Sequence, residues 1–174
     1  EKVKEGLNAV VVHPSGIIGP YDYGRGHTTQ LIIDFYRGRL TAGVKGGYDF
    51  VDARDVAEGI ISAAQNGRSG ECYILSNRYY SVKEILGKLS EISGKRKIRT
   101  FLPIWFIKMT AYLAELYYKI LRQPPLYTKY SLYTLQSNSN FSNQKAVREL
   151  SYSTRDLEDT LKDTIAFLKE NGRI

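Results

Sequence analysis

The sequence predicts an α/β fold with a mostly parallel sheet, on three observations. Short apolar runs alternate with amphipathic helical stretches along the chain. Two of those runs, Leu7–Val12 and Glu71–Ser76, have the β-rich, nearly continuous apolar character of strands covered on both faces. Turn-forming glycine and proline stand between the runs, as in His13-Pro14-Ser15-Gly16 and Gly19-Pro20.

The elements follow in order. A helix is expected from about Thr28 to Arg37, with Leu31, Ile32 and Phe35 on one side. Gly38, Gly43, Gly46 and Gly47 lead to a short strand, Tyr48–Asp52. Asp52 and Asp55 are placed to cap a helix running to Asn66, striped by Val56, Ile60, Ala63 and Ala64 and closed by Gly67 and Gly70. Ser81-Val82-Lys83-Glu84 is a capping box, and Val82, Ile85, Leu86, Leu89 and Ile92 form the buried face behind it. Gly94 ends that helix, and Ile98–Leu102 reads as a returning strand. Pro103–Arg122 is the most apolar helix, read as core or substrate-covering, with interfacial membrane contact as the weaker alternative. Pro124-Pro125 stops it; a short helix follows, and Ser142 is placed to cap another through Glu149. The last helix, Asp156–Lys169, carries Leu157, Leu161, Ile165 and Leu168 on one stripe.

Composition narrows the function classes. A chain of 174 residues, 43% hydrophobic, can bury about 70% of its unfolded surface without covalent staples. The single cysteine, Cys72, excludes a disulfide framework within the chain and fits a reducing, cytoplasmic setting. With two histidines far from it, a Cys/His metal site is not expected. The net charge of +7 favours anionic partners in general. Its densest cluster, Lys95-Arg96-Lys97 with Arg99, reads as a solvated loop; no nucleic-acid motif surrounds it, and the 14 tyrosines are not interleaved with Arg and Gly. No run has the roughly 18 apolar residues of a membrane span. The chain opens Glu1-Lys2-Val3 without methionine, and we expect it to be part of a longer protein.

The most informative segment is Val10-Val11-Val12-His13-Pro14-Ser15-Gly16-Ile17-Ile18-Gly19-Pro20, because ligands in open parallel sheets bind beyond the carboxyl ends of strands. That segment, followed by Tyr36-Arg37-Gly38-Arg39, by Tyr48-Asp49-Phe50-Val51-Asp52-Ala53-Arg54-Asp55-Val56-Ala57 and by Gly70-Glu71-Cys72-Tyr73-Ile74-Leu75, resembles the C-terminal half of extended short-chain dehydrogenases/reductases. Asn140-Phe141-Ser142-Asn143-Gln144-Lys145-Ala146, ending in Leu150-Ser151-Tyr152, continues the likeness. The closest flavour is the dihydroflavonol-reductase-like and hopanoid-associated epimerase-like group, near the 3β-hydroxysteroid dehydrogenase branch.

The resemblance implies the C-terminal part of a Rossmann-like, doubly wound parallel sheet with a mostly helical substrate-binding lobe. Residues 1–26 would finish the Rossmann-like domain, and 27–174 would form the lobe, with strands, including 71–76, returning to the sheet. It implies NAD or NADP as cofactor, with hydride transfer to or from a carbonyl or hydroxyl carbon of a small, relatively apolar or sugar-like substrate. Pro14, Ser15 and Ile17 would line the nicotinamide end, mainly through backbone, and Tyr21, Tyr23, Tyr48 and Trp105 are candidates for the substrate wall. His13 stands where relatives often have Arg, and it reads as a strand-end histidine.

Two family motifs do not occur here: the glycine-rich G-x-x-G-x-x-G turn that receives pyrophosphate, and the Tyr-x-x-x-Lys pair in its place before Leu7. No catalytic residue is therefore assigned within the chain; the pair is expected upstream of Glu1, with Glu1–Glu5 the tail of its helix. The expected partner is an N-terminal half of the same enzyme, with a small-molecule substrate and a possible homodimer of the intact protein. Tyr48-Asp49, where nucleotide-sugar epimerases often carry Arg, argues for a less charged substrate because Asp49 would repel phosphate. The alternative is a non-catalytic dinucleotide-sensing or interaction module of the same fold.

Overall fold

A computed structural model of the chain describes residues 2–24, 26–107, 109, 133, 135–137 and 139–174. After a 3-10 turn at Lys2–Glu5 come β1 (Val11–Pro14), β2 (Gly16–Ile18), α1 (His27–Tyr36), β3 (Gly43–Val44) and β4 (Gly47–Asp52). Then follow α2 (Ala53–Asn66), β5 (Cys72–Leu75), β6 (Arg78–Ser81), α3 (Val82–Ser93), β7 (Phe101–Leu102), α4 (Gln144–Leu150) and α5 (Leu157–Glu170). The fold is α/β as expected. β1 pairs with β5, β2 with β4 and β3 with β7 in parallel, and among the described strands β6 alone is antiparallel, on β4.

Burial explains the helices. α1, α3 and α5 enclose one core, in which Ile32, Leu86, Leu89, Leu161 and Leu168 are almost fully shielded. α2 and α4 close a second over β4 and β5, around Val51, Ala63, Tyr73, Leu75, Ala146 and Leu150. Asp52 caps α2 by accepting the Arg54 N–H at 2.8 Å, and Asp156 caps α5 by accepting that of Glu158. The capping box is half built: Ser81 accepts the Glu84 N–H at 3.1 Å, while the Glu84 carboxylate takes Arg78 at 2.8 Å. Gly94, at φ 66°, stops α3 in the left-handed region that suits glycine.

Several local expectations are corrected. The first strand is not Leu7–Val12 but Val11–Pro14, because Ala9 and Leu7 face the turn before β5: Gly70 N–H donates to the Ala9 carbonyl and Ser69 Oγ to that of Leu7. Nor is it covered on both faces, since Leu7 and Val11 are about half exposed. Asp55 does not cap; it is buried and accepts the N–H and Nε of Arg155 at 2.9 and 2.6 Å. The α2 stripe turns differently: Val56, Gly59 and Ala63 face inward, and Ile60 and Ala64 lie outside. Asn143, not Ser142, precedes α4, and it donates Nδ2 to the Ser76 carbonyl. The returning strand shrinks to Phe101–Leu102. Most of the expected helix 103–122 and the short helix after it lie outside the described residues.

Candidate functional site

Strand β1 ends at the turn singled out above. Its ladder with β5 runs one residue further, where Ser15 N–H donates to the Leu75 carbonyl at 3.2 Å. The chain then crosses to β2 at Gly16, where an added Cβ would sit 2.9 Å from both the Asp49 carbonyl oxygen and the Tyr48 ring. Only glycine lets β2 lie this close to β4. Ser15 Oγ donates to Asp49 Oδ1 at 2.5 Å, and Asn77 N–H donates to the same oxygen at 3.0 Å. Asp49 is 1% exposed, so it does not face a ligand and cannot repel a phosphate in the way its sequence position implied. The three residues expected at the nicotinamide are thereby sorted: Ser15 points inward with its N–H used, whereas Pro14 and Ile17 stay exposed.

Beyond Ile18 a cleft of about 470 Å³ opens between Ile17–Asp22, the start of α1 and the start of α2. Both helices present their N-termini to it, the ends where backbone N–H groups lack helical partners. Thr28 Oγ1 donates to the Ile17 carbonyl at 3.3 Å and fixes the rim. Asp22 accepts the N–H groups of Gly24 and Gly26, and its carboxyl is held below the usual range by a bond with Thr29, then by these backbone donors and Arg173, against the opposing effect of burial. Arg54, on the far wall, grips Asp52 through Nε and an Nη at 3.0 and 2.8 Å and Asp163 through the other Nη at 2.6 Å. Burial pushes the Asp52 carboxyl up, but Arg54 and the capping N–H outweigh it and leave it below the ordinary value; Arg54 is raised in turn, chiefly by Asp52. On the other side of Ile18 and Thr28 lies a smaller cavity of about 110 Å³, apolar apart from His27 and Thr28, with Leu31, Phe50 and Ile85 among its walls.

The four aromatic wall candidates do not form one wall. Tyr21 and Tyr23 meet on Phe167 of α5, edge to face at 5.5 and 5.2 Å. Tyr48 packs on Phe50, its same-face neighbour two residues along β4, and on Phe141. Trp105 stands apart, 66% exposed, against Phe106. Only Tyr21 and Ile17 of the expected site residues line the larger cleft. Sequence reading missed Arg54, Asp22 and Thr28 as its walls; the signal was Asp52-Ala53-Arg54 at a helix start and the polar run before α1. Among the described residues, no group of His, Cys, Asp or Glu gathers to hold a metal ion, and no helix is long and apolar enough to cross a membrane.

No protein-family model matches the chain. It is 29% identical over 171 residues to sterol demethylase protein B of Methylococcus capsulatus, covering 97% of the chain and 52% of that protein. It is also 29% identical to a protein named dihydroflavonol 4-reductase from Synechocystis, covering 98% of the chain and 51% of that protein. The chain thus spans about half the length of these relatives. Its fold matches that of a nucleoside-diphosphate-sugar epimerase from Pseudomonas aeruginosa, with a TM-score of 0.78 at 24% identity over 99% of the chain and 52% of the epimerase. A Bordetella bronchiseptica enzyme solved with NAD+ shares the fold at a TM-score of 0.66 and 22% identity, covering 97% of the chain and 48% of the enzyme. The chain is thus similar, over nearly its whole length, to about half of each of these relatives, and it shares the fold of the corresponding half of the two enzymes of known structure.

Proposed function

We propose that the chain is the C-terminal portion of an NAD(P)-dependent oxidoreductase or epimerase that acts on a carbonyl or hydroxyl carbon of a small, relatively apolar substrate. The observation that carries this reading is the turn at the carboxyl end of β1, where Pro14 and Ile17 stay exposed while Ser15 is tied down to Asp49. Exposed apolar side chains on an anchored turn fit one side of a flat nicotinamide ring, and the dinucleotide, when bound, supplies or accepts a hydride. Ser15 would act by holding the turn, since its own N–H is already donated to Leu75. The apolar cavity beside Ile18 supports an apolar substrate portion, with His27 and Thr28 toward its polar end.

The glycine-rich turn is not in these 174 residues, and Tyr79-x-x-x-Lys83, the one such spacing here, runs from β6 into α3 rather than standing before Leu7, so pyrophosphate binding and proton transfer would fall to another segment of the same protein. Among the described residues the second edge of β1 carries no strand, and Leu7, Val11 and Ile74 are exposed nearby, which suits such a neighbour. The 174-residue chain by itself is accordingly expected to be inactive.

Titration of the full-length protein with NADH, followed by nicotinamide fluorescence, tests the assignment. Ile17→Glu should weaken NADH binding about tenfold or more while leaving the circular dichroism spectrum unchanged, because a charge would replace an apolar contact to the ring. Unaltered affinity in that variant, or tight NADH binding by residues 1–174 alone, would overturn it.

A further inference from the structure

The basic cluster between α3 and β7 is not a featureless loop. It forms one wall of a cleft of about 440 Å³ whose other wall is the end of α1 and the segment after it. Arg37, Lys95, Arg96, Lys97 and Arg99 line this cleft, and among the described residues no carboxylate side chain does. Its floor is apolar, with Phe35 and Leu40 buried and Ile98 half-buried, so charges above it are screened less than on an open surface. Thr41 and Thr100 add exposed hydroxyls.

The loop is fixed at both ends. Ser90 Oγ donates to the Lys95 carbonyl at 2.7 Å, Lys95 N–H donates to Ser93 Oγ, and Gly43 N–H donates to the Thr100 carbonyl at 2.9 Å. Lys95 Nζ lies 4.7 Å from the Tyr36 ring centre, and Arg37 reaches the Arg173 carbonyl at 2.8 Å. Arg96, Lys97 and Arg99 form no ion pair among the described residues. By contrast Arg54, Arg68, Arg78, Lys88, Lys145 and Arg155 each hold a carboxylate.

Helix ends explain part of this charge. α1 and α3 both terminate at the cleft, and two C-terminal dipole ends amount to roughly one negative charge against the five cations. Several positive charges remain uncompensated in one concave, anchored site. We propose that this cleft binds a polyphosphate group, whether as a free chain or carried on a nucleotide. It shares no lining residue with the Pro14–Ile17 turn or the cleft beyond Ile18, so the proposal stands apart from the cofactor assignment.

The test is calorimetric titration of the full-length protein with inorganic tripolyphosphate, and in parallel with ATP and AMP, without divalent metal. Tripolyphosphate should bind, and the Arg96→Glu/Arg99→Glu double variant should lose at least tenfold in affinity with an unchanged circular dichroism spectrum. Arg148→Glu, on an exposed position of α4, should retain it. ATP binding like tripolyphosphate while AMP fails assigns recognition to the phosphate chain; ATP binding much more tightly assigns it to a nucleotide. Equal loss in Arg148→Glu would reduce the effect to net charge and overturn the proposal. So would the absence of tripolyphosphate binding, or binding of a single-stranded RNA that tripolyphosphate does not displace.

Discussion

Ser15 and Asp49, thirty-four positions apart, are joined by a 2.5 Å hydrogen bond that anchors the turn after β1 to the interior of β4. Asn77 N–H completes the Asp49 site, so one buried carboxylate oxygen ties together the β1–β2 turn, β4 and the β5–β6 turn. A buried carboxylate that loses a donor keeps its desolvation cost, so Ser15→Ala should destabilise by about 1–3 kcal/mol. Because both side chains serve one bond, a double-mutant cycle with Asp49→Asn should show coupling of about 1–2 kcal/mol in urea unfolding of the full-length protein. Simple additivity of the two substitutions would show that the contact is incidental.

How much of this was legible in the sequence varies by element. The inward stripe of α5 was, because Leu157, Leu161, Ile165 and Leu168 are large apolar residues at helical spacing and all are buried. Ser81 and Gly94 were legible as a cap and a stop for the same local reason. Asp49 was not. Its position next to Tyr48 implied exposure, and only the pairing of β2 with β4 brings Ser15 to it. Trp105 and Tyr48 looked equivalent as aromatic wall residues, yet one lies open and the other is packed between Phe50 and Phe141. The polar partners of a site are chosen by strand pairing, which hydropathy does not encode.

The Asp52–Arg54 pair makes stability depend on pH in a defined direction. The folded Asp52 carboxyl lies below its ordinary 3.8, so its contribution is fully present above that value and is lost as pH falls through the lower folded value. Asp52→Asn keeps an amide that can cap α2 but removes the charge facing Arg54, and should cost about 1–3 kcal/mol at about pH 7. The gap between wild type and variant should shrink as pH falls below 3.8, and close once it passes the lower folded value, where the wild-type carboxyl becomes neutral in the folded protein as well. Urea unfolding at about pH 7 and about pH 3 measures it. A gap that persists undiminished in acid would mean that Asp52 acts by shape rather than charge.

Gly59 and Gly87 occupy similar positions, inside α2 and α3, and alanine should act on them with opposite sign. Propensity alone favours alanine by about 0.8–1.0 kcal/mol at either site. At Gly87 an added Cβ meets nothing within 4 Å, so Gly87→Ala should be stabilising by about that amount. At Gly59 the Cβ would stand 2.9 Å from both Leu75 methyls and 3.1 Å from the Tyr152 ring. Leu75 is fully buried against β1's partner edge and Tyr152 is 5% exposed, so neither has room to retreat. Gly59 is the residue that lets α2 lie directly on β5, which is why Ile60, the inward residue by hydropathy, is turned out to 45% exposure. Overpacking here should cost about 1–3 kcal/mol and outweigh the propensity gain. Thermal unfolding of the two variants decides the point: if both raise the melting temperature, the helix does not sit against β5 as closely as the structure places it.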